Sequence, residues 1–341
     1  LSMCVPMEAK SGRTKVQVML WWDFTSSQPL IQLKAKFEEL NPDLEMEYLQ
    51  IGSKYADKML VMIAGGADLP DVMMLAMDKI PVYASKGAIM NLDKYIRENY
   101  KDEMKQLFPV VAEALTYEGS FYAMPRDITS KVMFFNTELF EKAGVAIPDA
   151  NWTWDDFEKT AKMLTNAQQD QYGALMRLET PHIIIKALQE QVPLYKADGT
   201  SNFDDPAFAE SLKWFKELGS AKKYQLDVKQ LLAEKASWNY WATVDNMAMF
   251  IQGNWFTRLL NSPADYPRDW NYGVAAIPTT GKKGSANNFV SMAYASINKN
   301  AAHPEDALTY ILWLGQNQWR FEKGIPALEN MSKEDVANVF K

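Results

Sequence analysis

Three apolar stretches separated by two helix-like stretches decide the fold of this chain. They read KVQVMLWW at residues 15–22, LEMEY at 44–48 and DVMML at 71–75. Their Val, Met and Leu content, with alternation in the second, predicts strands, whereas 30–39 and 55–64 have the period of amphipathic helices. The order βαβαβ predicts a parallel sheet with helices on both faces and a ligand crevice beyond the carboxyl ends of the strands.

The rest of the chain repeats the alternation of strands and helices. A hairpin at 117–122 precedes a strand at 131–135, and helices then dominate to about residue 260. Thr153 is the expected N-cap of a helix over 154–165. The later expected elements are strands at 271–276 and 290–297 and a helix at 301–314. The fold class is therefore α/β.

Length and charge limit the classes of function. At roughly 150 residues per domain, 341 residues predict two domains. The 36 Lys and Arg against 43 Asp and Glu give a net charge of −7 with no long basic run, so we expect no nucleic-acid partner. Two His and one Cys cannot build a Cys/His zinc site or an internal disulfide. No calcium loop is present either, and we expect no metal and no cofactor.

The N-terminal residues Leu1-Ser2-Met3-Cys4 have the Leu-x-x-Cys spacing of a bacterial lipoprotein processing site. A lipid on Cys4 would tether the chain to a membrane, and the alternative is a remnant of a signal or tag. No apolar run reaches about 18 residues, so we expect no membrane-spanning helix.

Aromatic residues lie in predicted loops beside amides and carboxylates. An aromatic ring against the C–H face of a sugar, surrounded by hydroxyl-binding polar groups, suits an apolar cleft with few polar groups. Core packing is the alternative interpretation of each ring. The candidates are Trp21, Trp22, Trp152, Trp238, Tyr240, Trp241 and Trp255.

Paired carboxylates would support an enzyme, because a glycosidase places two of them across its cleft. The candidates Asp23, Asp78, Asp127, Glu179 and Asp245 have little specificity among 43 acidic residues. No Ser/His/Asp order and no phosphate-binding glycine loop is present. We therefore expect a non-enzyme with no catalytic residues.

Several segments in a fixed order resemble bacterial extracellular solute-binding proteins of the maltose-binding type, the ligand receptors of ABC sugar importers. The resemblance covers about residues 15–321. The segments are WWD at 21–23, GGADLPDVM at 65–73, YASKG at 83–87, YAMP at 122–125, FFN at 134–136, WTWDDF at 152–157, MAM at 247–249, GNW at 253–255, YGV at 272–274 and HPEDA at 303–307.

The resemblance implies a two-lobed periplasmic-binding-protein-like fold with a hinge and an inter-lobe ligand cleft. We expect chain crossings near 127–131, 271–274 and 314–317. Lobe one would then contain 13–127 plus 274–314, and lobe two 128–273 plus 315–341. Relatives carry further helices after the segment resembling 316–321, so we expect a shortened C-terminal lobe.

The resemblance also implies ligand-binding residues by position. These are Trp22, Asp23, Asp78, Arg126, Asp127, Glu179, His182 and Trp255, and the aromatic pattern adds Trp241. The implied function is the binding of a carbohydrate, an oligosaccharide above all, and its delivery to ABC permease subunits by hinge closure. We expect an extracellular or periplasmic monomer. A glycan-active enzyme and a binding protein for polyamines or peptides are the alternatives.

Overall fold

The chain folds into two compact α/β units. The first contains the described residues of Leu1–Ile128 and Ser291–Lys341, and the second those of Thr129–Val290. The computed structural model describes residues 12–20, 27–51, 55–66, 68–76, 79–99, 105, 107–283, 288, 290–322, 327, 332 and 334.

The first unit begins with the predicted alternation of strands and helices. Its elements are β1 (Thr14–Leu20), α1 (Gln28–Leu40), β2 (Leu44–Gln50), α2 (Tyr55–Ala64), β3 (Val72–Ala76), α3 (Ile80–Ser85), α4 (Asp93–Asn99), α5 (Pro109–Ala114), β4 (Thr116–Tyr117), β5 (Ser120–Phe121) and the start of β6 (Met124–Asn136). Strand β1 is parallel to β2, with Val16 opposite Met46, and to β3, with Val18 opposite Val72. The predicted parallel βαβαβ unit is confirmed.

The second unit combines helices with a sheet built on the rest of β6. Its elements are α6 (Thr137–Ala143), α7 (Trp154–Leu164), α8 (Thr180–Ile183), α9 (Ile185–Gln189), α10 (Pro206–Ser220), α11 (Val228–Ala233), β7 (Met249–Gly253), α12 (Thr257–Leu260) and β8 (Tyr272–Ala276). Strands β7 and β8 both pair antiparallel with β6. The predicted cap of α7 is confirmed, because the Thr153 side chain accepts from Asp156 N–H and the Asp156 carboxylate accepts from Thr153 N–H.

The chain then returns to the first unit through β9 (Val290–Ile297) and α13 (Pro304–Glu322). Strand β9 pairs antiparallel with β3, with Tyr294 opposite Leu75. Helix α13 covers α1, where Tyr310 meets Phe37 edge to face at 5.0 Å between ring centroids. Aromatic contacts of this geometry add to the area that the helix buries.

The division into units differs from the expected lobes in two places. Residues 274–276 belong to the second unit, because β8 pairs with β6 there, and the return to the first unit comes at Val290 and Ser291. No crossing occurs at 314–317, since α13 continues through Gly315 to Glu322 in the first unit. A Cβ on Gly315 would lie 2.9 Å from the Pro125 carbonyl oxygen. This glycine permits close helix packing and does not end the helix.

Helices in the described part of the chain are too short or too polar to cross a membrane.

Candidate functional site

Three backbone segments of the second unit end at one edge of its sheet, beside Lys131 of β6. Strand β6 runs antiparallel to β7, with Lys131 opposite Gly253, and antiparallel to β8, which also ends at this edge. The segment 172–175 runs parallel to β7, so Arg177 follows at the same edge as Gly253. Ligands of α/β sheets bind beyond the carboxyl ends of strands. We call this region the β7 edge.

Gly253 allows the chain to turn back sharply after β7. A Cβ at this position would collide with the Thr129 methyl and with the Trp255 indole, so the close approach requires glycine. Asn254 accepts a hydrogen bond from the Ser130 N–H at 3.0 Å. The turn is thereby attached to β6, and it holds Trp255 at the β7 edge.

Two tryptophans provide an aromatic surface beside this turn. Trp255 is half-buried, and its ring centroid lies 5.9 Å from that of Trp238, with the planes inclined at 56°. Trp238 is 44% exposed. Large rings that keep one face accessible can pack against the C–H face of a sugar.

His182 belongs to the short helix α8 and is completely buried. Its Nδ1 accepts a hydrogen bond from the Arg177 backbone N–H at 3.1 Å, which places the imidazole proton on Nε2. Nε2 has no hydrogen-bond partner among the described residues. Burial lowers the pKa of His182 well below its usual value, and the charges of Lys131 and Arg177 lower it further.

Lys131, Arg177, Glu179 and His182 form a polar group that we call the Lys131 cluster. An ion pair of 2.5 Å joins Arg177 Nη2 to Glu179 Oε1. Lys131 is only 8% exposed, and burial lowers its pKa, opposed by the charge of Glu179 and assisted by that of Arg177. Within the described structure, its ammonium makes no hydrogen bond or ion pair.

A second buried group of charges lies in the first unit, and we call it the Arg126 cluster. Arg126 Nη1 donates to Asp127 Oδ2 at 3.1 Å, and Arg126 Nη2 donates to Glu322 Oε2. Gln318 Nε2 donates to the same oxygen at 2.7 Å. Burial alone would lower the pKa of Arg126, but the charges of Asp127 and Glu322 outweigh it and raise the pKa. This cluster attaches the start of β6 to α13.

Apart from Trp241, the structure separates the predicted ligand residues into three groups. Glu179 and His182 belong to the Lys131 cluster, and Trp255 lies at the same sheet edge. Arg126 and Asp127 are in the first unit, within an internal ion-pair network. The remaining first-unit predictions, Trp22, Asp23 and Asp78, fall outside the described residues.

The prediction that Trp241 binds ligand is wrong. Its side chain is 0% exposed, its Nε1 donates to the Met247 carbonyl at 2.9 Å, and its ring stacks on Phe250 at 5.7 Å between centroids. It belongs to the core of the second unit. Because Trp241 lies in a predicted loop, we expected its ring to be exposed. In the structure the ring lies in the core between β7 and the turn at 240–243.

Two residues of the Lys131 cluster, Lys131 and Arg177, were not among the predicted ligand contacts. Each carries a signal in the sequence, since Lys131 precedes the apolar run VMFF at 132–135 and Arg177 follows GALM at 173–176. A cation at the end of a buried strand either snorkels to solvent or has a specific partner.

A separate cavity of about 310 Å³ lies in the second unit between α7 and α10. The ring nitrogens of its buried tryptophans are satisfied: Trp154 donates to Gln189 at 2.7 Å and Trp214 to Glu158 at 2.6 Å. An ion pair of 2.6 Å joins Lys282 to Glu190 in its lining. These internal pairings make it a weaker candidate than the β7 edge.

No group of three or more His, Cys, Asp or Glu side chains suited to a metal ion occurs among the residues that the structure describes.

The fold is similar to that of solved substrate-binding proteins. The structure of an ABC substrate-binding protein of Listeria monocytogenes in complex with cycloalternan has a TM-score of 0.77 and 23% identity, over 96% of this chain and 86% of that one. An ABC transporter solute-binding protein of Thermotoga lettingae bound to α-D-tagatose has a TM-score of 0.79 and 20% identity, over 95% and 84% of the two chains. These likenesses establish a two-lobed type of α/β fold.

The amino-acid sequence is similar to those of known binding proteins. The maltotriose-binding protein of Pyrococcus abyssi is 23% identical over 215 residues, which are 62% of this chain and 44% of that protein. The sequence profile of the bacterial extracellular solute-binding proteins matches residues 21–320. The profile covers most of the chain and includes every element from α1 to the greater part of α13. This chain therefore belongs to the bacterial extracellular solute-binding protein family.

Proposed function

We propose that this chain is the substrate-binding protein of an ABC importer, which binds a carbohydrate and delivers it to the permease subunits. The observation that carries the proposal is the β7 edge, where half-buried Trp255 and exposed Trp238 lie on the same unit and edge as buried hydrogen-bonding groups. The relatives bound to cycloalternan and to tagatose, and the maltotriose-binding protein, support a carbohydrate as the ligand class.

Each group at the edge has a distinct part in this proposal. The Trp255 ring would pack against the apolar face of a sugar, while hydroxyl groups accept from Arg177 and from His182 Nε2 and donate to Glu179. Trp22, Asp23 and Asp78 are further proposed contacts. This binding needs no bond to be broken in the sugar, so the ligand is released unchanged.

The family is extracellular, and we place the protein outside the cytoplasm as a monomer. We further propose a membrane tether through a lipid on Cys4. Expression of the full chain with a labelled fatty acid in a bacterial host would test the tether, because Cys4→Ser should abolish the label. Unchanged labelling of that variant would exclude Cys4 as the attachment site.

A panel of neutral sugars, acidic sugars, polyamines and peptides tests the proposal by thermal shift. A ligand at 100 times its dissociation constant stabilises the folded state by about 2.7 kcal/mol. Stabilisation by a polyamine or a peptide alone would overturn the carbohydrate assignment. Incubation of the protein with any sugar that binds should release no new reducing ends, and turnover would make the protein an enzyme.

The first prediction concerns Trp255, with the best ligand of that panel as the probe. Trp255→Ala should weaken binding by about 1–3 kcal/mol, roughly tenfold or more, because it removes apolar contact area. Titration calorimetry measures the loss. Tyr195→Ala is the matched control, since Tyr195 is an exposed aromatic residue of the same unit and its loss should leave the affinity unchanged. Wild-type affinity in Trp255→Ala would remove this ring from the site.

A further inference from the structure

The Lys131 side chain is largely buried, and no described residue forms an ion pair with its ammonium. Lys131 is 8% exposed, and no hydrogen bond or ion pair reaches its Nζ from the described residues. Transfer of an ammonium group from water into a protein interior is unfavourable unless an opposite charge compensates it. Lysine at this position is therefore a stability cost that a bound anion would offset.

The neighbours of Lys131 add positive charge and hydrogen-bond donors. Arg177 and Lys131 supply two positive charges, and Glu179 supplies the single carboxylate, which already pairs with Arg177 at 2.5 Å. His182 is buried and neutral, and it presents a proton on Nε2. Arg177 Nε is also buried without a partner in the described structure. The Lys131 cluster thus has one net positive charge and three unused donors.

The backbone around Lys131 holds this arrangement in place. Asn288 Nδ2 donates to the Lys131 carbonyl oxygen at 2.6 Å and to the Ser130 hydroxyl at 2.8 Å. On the opposite strand, Lys131 pairs with Gly253, two residues before Trp255. Lys131 and Trp255 are therefore held by the adjacent strands β6 and β7 at the β7 edge.

We infer that the Lys131 cluster binds the carboxylate of an acidic sugar, such as a uronic acid residue in the carbohydrate ligand. One negative charge neutralises the net charge of the cluster, and two carboxylate oxygens can accept from Lys131, Arg177 and His182. A neutral hydroxyl can accept a hydrogen bond but leaves the ammonium uncompensated. The inference rests on the proposed carbohydrate-binding function and narrows its substrate class.

Matched pairs of sugars that differ only in the C6 group test the inference on the wild-type protein. The pairs are galacturonic acid with galactose, glucuronic acid with glucose and mannuronic acid with mannose, each as monomer and as linear oligomer. In at least one pair the acid should bind about tenfold or more tightly than its neutral partner by calorimetry. The advantage should shrink as NaCl is added, because salt screens the charge pair.

Variants assign the effect to the Lys131 cluster. Lys131→Met should reduce the preference for the acid to within about twofold of its neutral partner, because the variant lacks the ammonium that pairs with the carboxylate. Lys213→Met is the matched control, since Lys213 is an exposed lysine of the same unit, and it should keep the wild-type preference. If Lys131→Met fails to fold, the wild-type protein still tests the inference through the ratio of its affinities for the acidic and the neutral sugar and the salt dependence of that ratio.

The outcomes separate this inference from the proposed function. Neutral sugars that bind as tightly as or more tightly than every acid would overturn the acidic-sugar assignment and leave the carbohydrate function standing. A preference for acids that survives intact in Lys131→Met would remove the Lys131 cluster as its cause. Absence of binding to both series, with binding of a polyamine or a peptide, would overturn the proposed function itself.

Discussion

The Arg126 cluster and the Lys131 cluster contain similar side chains, but among the described residues only Arg126 forms ion pairs from the central cation of its cluster. Arg126 donates to two carboxylates, and Glu322 receives a further hydrogen bond from Gln318. Lys131 is equally buried and has no partner in the described structure. A buried charge with internal partners has a structural role, whereas one without them indicates a ligand.

Arg126 and Lys131 are five residues apart on one strand, so their positions in the sequence do not explain why only Arg126 has ion-pair partners among the described residues. What distinguishes them is the element packed against each. Helix α13 brings Glu322 and Gln318 to Arg126, whereas α8 brings His182 and the preceding loop brings Arg177 to Lys131. The comparison can be tested by removing each cation in turn.

The largest effect is expected for Arg126→Met. It leaves the Glu322 carboxylate buried beside Asp127 without its counterion, which should lower the free energy of unfolding by about 3–5 kcal/mol. Urea denaturation of the ligand-free protein measures the loss. Arg320→Met is the control, because that exposed arginine lies over the Trp319 ring and its loss should cost less than about 1 kcal/mol. Wild-type stability in Arg126→Met would contradict the structural role of the cluster.

The same substitution at Lys131 should have the opposite sign. Lys131→Met replaces a largely buried lysine, which no described residue pairs, with an apolar side chain of similar length, and it leaves the ion pair of Arg177 with Glu179 in place. The free energy of unfolding should be unchanged or higher, by up to about 1–4 kcal/mol. Denaturation in urea without ligand gives the value. A loss of more than about 1 kcal/mol would mean that Lys131 has an internal structural role after all.

The smallest effect concerns the pH dependence of stability through His182. Its folded-state pKa is depressed, while the unfolded chain binds this proton below about pH 6.5. Unfolding takes up a proton in that range, so the stability is present above pH 6.5 and declines as pH falls toward the folded pKa. The slope contributed is at most about 1.4 kcal/mol per pH unit.

Urea denaturation of the wild type and of His182→Gln between neutral and mildly acidic pH isolates this contribution. The difference between their unfolding free energies should narrow as pH falls, because only the wild type loses the stability linked to His182. The neighbouring Lys131, Arg177 and Glu179 are common to both proteins, so the two proteins differ only at residue 182. His303→Gln, at an exposed histidine, controls for the loss of an imidazole. Parallel curves for wild type and His182→Gln would show that His182 does not stay neutral in the folded protein.

Local sequence signals predicted the βαβαβ unit, the hairpin, and the last strand and helix of the first unit, whereas α3, α4 and α5 were not predicted. The βαβαβ alternation, the cap at Thr153 and the strand at 290–297 each depend on neighbouring residues, which are visible in the sequence. The predicted end of the last helix at 314 was wrong, because α13 reaches Glu322 and passes through Gly315. Its small size serves packing against Pro125, a contact between residues far apart in the chain.

The candidate site was predictable only in part for the same reason. Trp241 and Trp255 have similar local sequences, yet the first is in the core and the second is half-buried at the β7 edge. Glu179 and His182 were identified by resemblance, but their neighbours Lys131 and Arg177 were not. Burial depends on which elements cover a side chain, and no single segment contains that information.

The sequence by itself determined the α/β class and the alternation of strands and helices that opens the chain, because periodicity and capping are local properties. Only the tertiary structure decided which buried cation is paired. The free energy of a buried charge depends on the partners within a few ångströms, and those partners come from helices and strands that are distant along the chain. Arg126 has such partners in Asp127 and Glu322, whereas no described residue forms an ion pair with Lys131.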